Sequence, residues 1–432
     1  MLVNEFIKKM DQVCSKLQTG EILVLFGAGL QVRNRDVEYK FRQDSDFYYL
    51  TGFAEPDAVL LLTRTKRWMF VLPKDKEKEI WTGIRTGKHK IKKDLKLSDA
   101  FDNTEWQQKK SGLFAGNHTI YHFFGKNTKQ DLEIVQITQQ LEQARDGKNS
   151  PHTICKPLFL HEMRMIKSAT DIQKIAQAAE ITNQGHRALM QHIRAGMFEY
   201  EAEAILEKEY LCRGAWGGGY GHIVASAANA TILHYTVNNR KMQTGDLVLV
   251  DSGAEKDYYT ADVTRTFPVG KTFTTAQKEI YSIVLAAQKQ AIAMCKPGME
   301  FQKIHENTVE FLVTQLIQLK LLHGSLKQNI RNKTYTRFYM HKTGHWLGMD
   351  VHDVGSYFEK GKSRKLKNGM VLTIEPGLYF DPADKEIPDK YRGIGIRIED
   401  NILVNGKNPV NLTRSIPKEI EEIEKLKASL SS

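Results

Sequence analysis

Several carboxylates stand at the ends of apolar strands or inside them, and this placement constrains the chain more than any other feature. Asp251 closes the run Leu247-Val248-Leu249-Val250, and Asp262 lies in Thr260-Ala261-Asp262-Val263-Thr264-Arg265-Thr266. Glu375 ends Met370-Val371-Leu372-Thr373-Ile374 just before Pro376-Gly377, and Glu399 follows Arg397 in Ile396-Arg397-Ile398-Glu399. Period-two alternation from Tyr259 to Phe267 puts Asp262, Thr264 and Thr266 on one face, and Arg397 and Glu399 also share a face. A carboxylate inside an apolar strand is costly unless it is paired or binds a cation. Four of them, together with the histidines of Met340-His341-Lys342-Thr343-Gly344-His345 and of Asp350-Val351-His352, suggest shared compensation by cations. Such a donor set is mostly oxygen with one imidazole. It favours Mn²⁺ or a similar hard-to-borderline ion over an all-thiolate zinc site. Carboxylates able to bridge two ions suggest a two-metal hydrolytic centre. Each acid taken alone has an ordinary reading as a turn residue or salt-bridge partner, and spacing leaves both readings open.

The rest of the chain divides in two. Glu21 to Gly27, Ala58 to Thr63 and Trp68 to Leu72 read as strands, and a helical period from Lys129 to about Arg145 stops at Asp146-Gly147. These describe an α/β N-terminal domain. Gly147 to Pro157 carries Gly, Asn, Ser and Pro without a period, which predicts a linker and domains over residues 1–160 and 161–432. Beyond it, Ser168-Ala169-Thr170-Asp171 is a capping box. Long helices are predicted at about 199–213, 275–295 and 300–322, the last closing at Gly324. Strands are predicted at 247–250, 259–267, 370–374 and 395–404. This C-terminal part reads as α+β, with helices over one face of an antiparallel sheet.

Composition narrows the class. With 432 residues, 41% hydrophobic and 26% charged, the chain is neither a disulfide-stapled miniprotein nor a disordered one. Cys14, Cys155, Cys212 and Cys295 form no C-x-x-C pair and read as free thiols. The N-terminal segment does not resemble a secretory or transit peptide, and no apolar run reaches the ~18 residues of a membrane span, so a cytoplasmic protein without membrane contact is expected. A formal charge of +11 names no partner. The basic run Lys88 to Lys96 lacks interleaved aromatics, so nucleic-acid binding is not expected.

The order Asp251-x10-Asp262, Gly344-His345-Trp346-Leu347-Gly348-Met349-Asp350-Val351-His352, Thr373-Ile374-Glu375-Pro376-Gly377-Leu378-Tyr379 and Gly395-Ile396-Arg397-Ile398-Glu399-Asp400 resembles the metallopeptidases of pita-bread fold, within them the aminopeptidase P family. Phe41-Arg42-Gln43-Asp44-Ser45-Asp46-Phe47-Tyr48-Tyr49-Leu50-Thr51-Gly52-Phe53-Ala54-Glu55-Pro56-Asp57 and Glu162-Met163-Arg164-Met165-Ile166-Lys167-Ser168 resemble the same family. The likeness runs from about residue 21 to 415 and implies hydrolysis of the Xaa-Pro bond at peptide N-termini.

It also implies five ligands to two divalent cations, Asp251, Asp262, His345, Glu375 and Glu399, with Asp262 and Glu399 bridging. Glu375 is then the proton shuttle. His352 stabilises the tetrahedral oxygen and His234 orients the peptide or assists the leaving group, two roles that can be exchanged. His341, His352, Arg397 and Tyr379 line the proline pocket, and Arg397 supports the ligands. Prolidase, restricted to dipeptides, is the neighbouring alternative. A non-catalytic binding protein on the same fold is disfavoured by the intact ligand set. The family resemblance further implies a homodimer or homotetramer assembled through the N-terminal domain, with Trp81 a candidate contributor to a neighbour's active site. As a residue in its own right, Trp81 is expected in a core.

Overall fold

In the computed structural model, Leu247–Asp251 forms the central strand of a three-stranded antiparallel ladder, with Ile223–Ser226 on one side and Thr264–Pro268 on the other. Val248 and Val250 pack into a large helix-lined core, whereas Leu249 joins Ile223, Ala225 and Tyr379 on the opposite face. Alternation therefore points Asp251, in phase with Leu249, away from the helices. Val371–Ile374 pairs with Asp400–Leu403, and Gly377–Tyr379 with Gly395–Arg397, both antiparallel.

The structure describes residues 2–143 and 150–428. The chain divides into two units, residues 1–161 and 162–432. The first holds a six-stranded mixed sheet in which Glu21–Phe26 pairs antiparallel with Val59–Thr63 and parallel with Thr119–Tyr121. Ile22, Val24, Leu61 and Phe70 pack there against Ile134 and Ile137 of the helix Thr128–Glu142. The predicted stop of that helix at Asp146-Gly147 and the first residues of the predicted linker lie outside the described residues. Lysines of the basic run are paired with acids: Lys88 with Asp102 and Glu105, Lys90 with Asp94, Lys92 with Asp99.

In the second unit, Ser168 and Asp171 form the predicted capping box at the head of Ala169–His192. Helices follow at Glu199–Cys212, Thr275–Ala293 and Phe301–Gln318. The last ends short of Gly324, with Lys320 in the left-handed region at φ +58°.

Three expectations are corrected. The strand predicted over 259–267 is broken into Tyr259–Thr260 and Thr264–Pro268, so Asp262 occupies a gap instead of a ladder position. The cause is local crowding. The backbone at Ala261 passes so close to Gly253 that a Cβ there would sit 1.9 Å from the Ala261 carbonyl oxygen. The amide of Asp262 is satisfied instead by Asn401 Oδ1 at 3.1 Å, and Asn401 Nδ2 donates back to the Asp262 carbonyl. Likewise the strand predicted over 395–404 divides at Ile398 and Glu399, and the Glu399 amide donates to the Thr264 carbonyl at 3.0 Å. Finally, Trp81 is not in a core. It lies on the short helix Lys76–Thr82, which buries no residue, and is 88% exposed beside Ile80 and Ile84. The alternating polar residues of that helix give it no apolar face wide enough to dock.

All four cysteines are free. No helix among the described residues is long and apolar enough to cross a membrane.

Candidate active site

A cavity of about 900 Å³ opens in the second unit, and Asp251, Asp262, Glu375 and Glu399 all line it. His234, His341, His345, His352 and Arg397 line it as well. Of the residues singled out from sequence, only Tyr379 lies behind the wall. It is buried and reaches the site through its hydroxyl.

The centre is built around His345. The preceding Gly344 is pressed against the neighbouring strand, where a Cβ would stand 1.9 Å from the Thr373 carbonyl oxygen, and the His345 amide is held by Thr373 Oγ1 at 3.1 Å. Its Nδ1 lies 3.0 Å from the Trp346 carbonyl. A carbonyl only accepts, so Nδ1 carries a proton and Nε2 is the ring atom turned toward the carboxylates. That nitrogen lies 3.1 Å from Asp262 Oδ2 and 3.7 Å from Glu375 Oε1, where a proton or a cation can join it to the acids. Donor atoms of Asp262, His345 and Glu399 lie within 4.8 Å of one another.

Electrostatics shows how much negative charge converges here. Burial pushes the Glu375 carboxyl up to about 7, with the charges of Asp262 and Asp251 adding to it against His345 and Arg397. Burial and the same neighbouring acids drive Glu399 well above the usual carboxylate range. Burial disfavours charge on His345, but the hydrogen bond to Asp262 and the charges of Asp262 and Glu375 outweigh it and lift the ring to about 9. Asp251 is held low despite burial by Arg397, whose Nη2 donates to its Oδ2 at 2.7 Å. An imidazole nitrogen turned toward carboxylate oxygens, with acids opposed by one arginine, is a donor set whose charge and orientation suit divalent cations, which would take the place of the imidazole proton.

One wall is a fixed relay. Arg397 Nη1 donates to Tyr379 Oη at 2.9 Å, Tyr379 Oη donates to His341 Nε2 at 2.8 Å, and His341 Nδ1 donates to the Lys342 carbonyl at 2.7 Å. His341 is therefore neutral, and burial followed by the Arg397 charge pushes it down to about 3. His352 packs edge-on against His345, ring centroids 4.3 Å apart. Burial lowers its pKa, and the charges of His345 and His234 lower it further.

Sequence reasoning missed Tyr220 and gave Thr264 no role. The Tyr220 hydroxyl lies 2.6 Å from Asp251 Oδ1 and 2.5 Å from Asp262 Oδ1, so its single proton serves two carboxylates. It sits in the run Gly217-Gly218-Gly219-Tyr220-Gly221, where no periodicity points to a face; a lone aromatic among glycines was the available signal. The Thr264 hydroxyl donates to Glu399 Oε2 at 2.7 Å and accepts from Arg397 Nε at 3.0 Å.

Residues 173–406 match the model of metallopeptidase family M24, and residues 6–121 that of the aminopeptidase P N-terminal domain. The chain is 40% identical over 430 residues to the Xaa-Pro aminopeptidase of Escherichia coli, covering 98% of this chain and 97% of that one. The chain belongs to the aminopeptidase P family. Human Xaa-Pro aminopeptidase 3 is 31% identical over 94% of this chain and 81% of its own length. Among solved structures, the aminopeptidase PepP of Pseudomonas aeruginosa superposes with a TM-score of 0.96 at 39% identity, covering 99% and 98% of the two chains. The zinc-substituted E. coli aminopeptidase P in complex with product matches at 0.96 and 38%, over 100% of this chain and 99% of that one. The expected pita-bread architecture and a metallo-exopeptidase activity follow for this family member.

Proposed function

We propose that the chain releases the N-terminal amino acid from peptides with proline in second position, using two divalent cations held by Asp251, Asp262, His345, Glu375 and Glu399. The observation that carries this reading is the convergence of His345 Nε2 with the Asp262 and Glu399 carboxylates on one point of a cavity large enough for a peptide. Bound there, the cations, Mn²⁺ by the oxygen-rich character of the donors, supply acidification of a water and polarisation of the scissile carbonyl.

The remaining work falls to the side chains. Glu375 takes the proton of the attacking water and passes it to the proline nitrogen as the C–N bond breaks. That nitrogen carries no hydrogen in the substrate and leaves as a secondary amine, so the one proton it gains is the one the shuttle delivers. His352 donates to the oxygen that becomes tetrahedral, and His234 orients the peptide. Neutral His341, with Arg397 and Tyr379 behind it, forms a stiff surface for the proline ring. Arg397 and Thr264 hold Asp251 and Glu399 in place, as outer-sphere partners do in metal centres.

We also infer that copies of the chain assemble through the N-terminal unit into a homodimer or homotetramer in the cytoplasm. The exposed Ile80, Trp81 and Ile84, each more than 80% accessible, support an interface there.

Product analysis by mass spectrometry tests the activity. An Xaa-Pro-Yaa tripeptide and an Xaa-Pro dipeptide are each incubated with Mn²⁺ and with EDTA. Release of Xaa from the tripeptide, abolished by EDTA, is the expected result. Cleavage of the dipeptide alone would move the assignment to prolidase, and no cleavage of either by metal-loaded protein would remove it.

A further inference from the structure

His234 lines the cavity, yet among the described residues no hydrogen bond holds its imidazole. Its side chain is exposed and belongs to residues 227–240, which contain one short 3₁₀ turn, Ala227–Thr231, and otherwise no helix or strand. A ring on such a segment would wander unless the backbone on either side were fixed. The fixing element is one carboxylate. Glu199, in the first turn of Glu199–Cys212, is fully buried and accepts at Oε1 from the Ser226 amide (2.7 Å), the Ser226 hydroxyl (2.6 Å) and Asn229 Nδ2 (3.1 Å). At Oε2 it accepts from the Tyr235 hydroxyl (2.8 Å) and the Arg240 amide (2.8 Å). One side chain thus ties down both ends of the segment and the residue next to His234.

Such a buried acid is tolerated because five donors converge on its two oxygens, and Arg240 Nη1 adds a bond to the Ser226 hydroxyl at 2.7 Å. The arrangement exceeds what a helix terminus needs, since a capping carboxylate serves its own helix and Glu199 bonds only residues far along the chain. The Tyr235 ring packs in the same cluster as Tyr379, the residue that holds Arg397 and His341, and Leu233 packs against that cluster from the other side of His234.

We propose that Glu199, acting through Tyr235, is a positioning residue for His234. This rests on the substrate-facing role assigned to His234 above. Glu199 does not touch the reacting atoms. It sets the backbone from which the imidazole reaches the peptide, and a displacement of about 1 Å at such a group is enough to cost a large factor in rate.

Tyr235→Phe tests this, because it deletes the hydroxyl and leaves the ring in its cluster. With a tripeptide substrate and Mn²⁺, kcat is expected to fall about fivefold or more, with bound metal unchanged by mass spectrometry. In a His234→Ala background the same change should alter kcat less than about twofold, since two residues acting as a unit are not additive. Hydrogen exchange should rise at residues 232–237 and stay unchanged at 247–251. Glu199→Gln is the second variant and should reproduce the pattern. Equal losses with and without His234, or unchanged exchange at 232–237 in both variants, would overturn the proposal. A His234→Ala enzyme as active as the parent would overturn the role given to His234 and this inference with it. If the parent cleaved no Xaa-Pro peptide, the functional reading would fall, while the exchange data would still decide whether the anchor exists.

Discussion

The hydroxyl of Thr264 donates to Oε2 of Glu399 across 2.7 Å, from the strand Thr264–Pro268 to the break between Gly395–Arg397 and Asp400–Leu403. Thr264 Oγ1 in turn accepts from Arg397 Nε, and Arg397 goes on to grip Asp251. Two carboxylates from separate stretches of the chain are thereby aimed through one threonine. Thr264→Val keeps the shape and removes both bonds. Divalent-cation affinity, measured by competition with a chromogenic chelator, is expected to drop about 10- to 100-fold. An unchanged affinity would show that Glu399 is held by its backbone alone.

Stability should depend on a pair set behind the site. Arg265 and Asp400 are both fully buried and joined at 2.7 Å, and Arg265 also donates to the carbonyls of Thr264, Glu399, Ile416 and Pro417. Burial alone would raise Asp400, but Arg265 and Lys418 together hold it far below its ordinary range. Arg265→Met leaves four carbonyls without that donor and is expected to cost about 3–5 kcal/mol in urea denaturation. A midpoint shift worth less than about 1 kcal/mol would contradict this.

A buried histidine predicts acid sensitivity. Burial pushes His186 down to about 4 despite its hydrogen bond to the Ser252 carbonyl at 3.0 Å. The unfolded chain takes up this proton near pH 6.5 and the folded one only near 4, so the unfolded state binds more protons in between. Stability therefore falls as pH drops from about 6.5 to 4, by about 1.4 kcal/mol per unit at most. His186→Gln, which keeps a donor and cannot titrate, should show a shallower loss of Tm over that window. Parallel pH profiles for the two proteins would exclude His186 as the source.

Trp81 gives a prediction about assembly. Multi-angle light scattering of the purified protein should give a mass that is a multiple of 49.4 kDa, and Trp81→Ala with Ile84→Ser should shift it toward the monomer. A monomeric parent would leave the exposed cluster without that explanation.

Strands and long helices were legible in the sequence wherever period and capping agreed. Leu247 to Val250 announced a buried strand, and Ser168 with Asp171 announced a helix start. Asp262 and Glu399 were recognisable as misplaced charges, but their surroundings were not. Alternation assumes an unbroken ladder, and it carries no information about Gly253 pressing on Ala261 or Asn401 standing in as a strand partner. Tyr220 escaped for the same reason, because a glycine-rich loop has no face until the fold provides one. Trp81 misled in the other direction, since hydrophobicity alone argues for a core and says nothing of a seven-residue helix too polar to dock.

Asn401 deserves a mechanical reading. It completes the backbone of Asp262 at the point where the strand lets go, so the direction of that carboxylate is decided by an amide reaching across from a different stretch of chain. Rigidity and aim are thereby separate properties of this molecule. Changes among Val248, Val250 and their helix partners can trade against one another without turning the acid, while a single change at Asn401 would swing it and leave the framework standing.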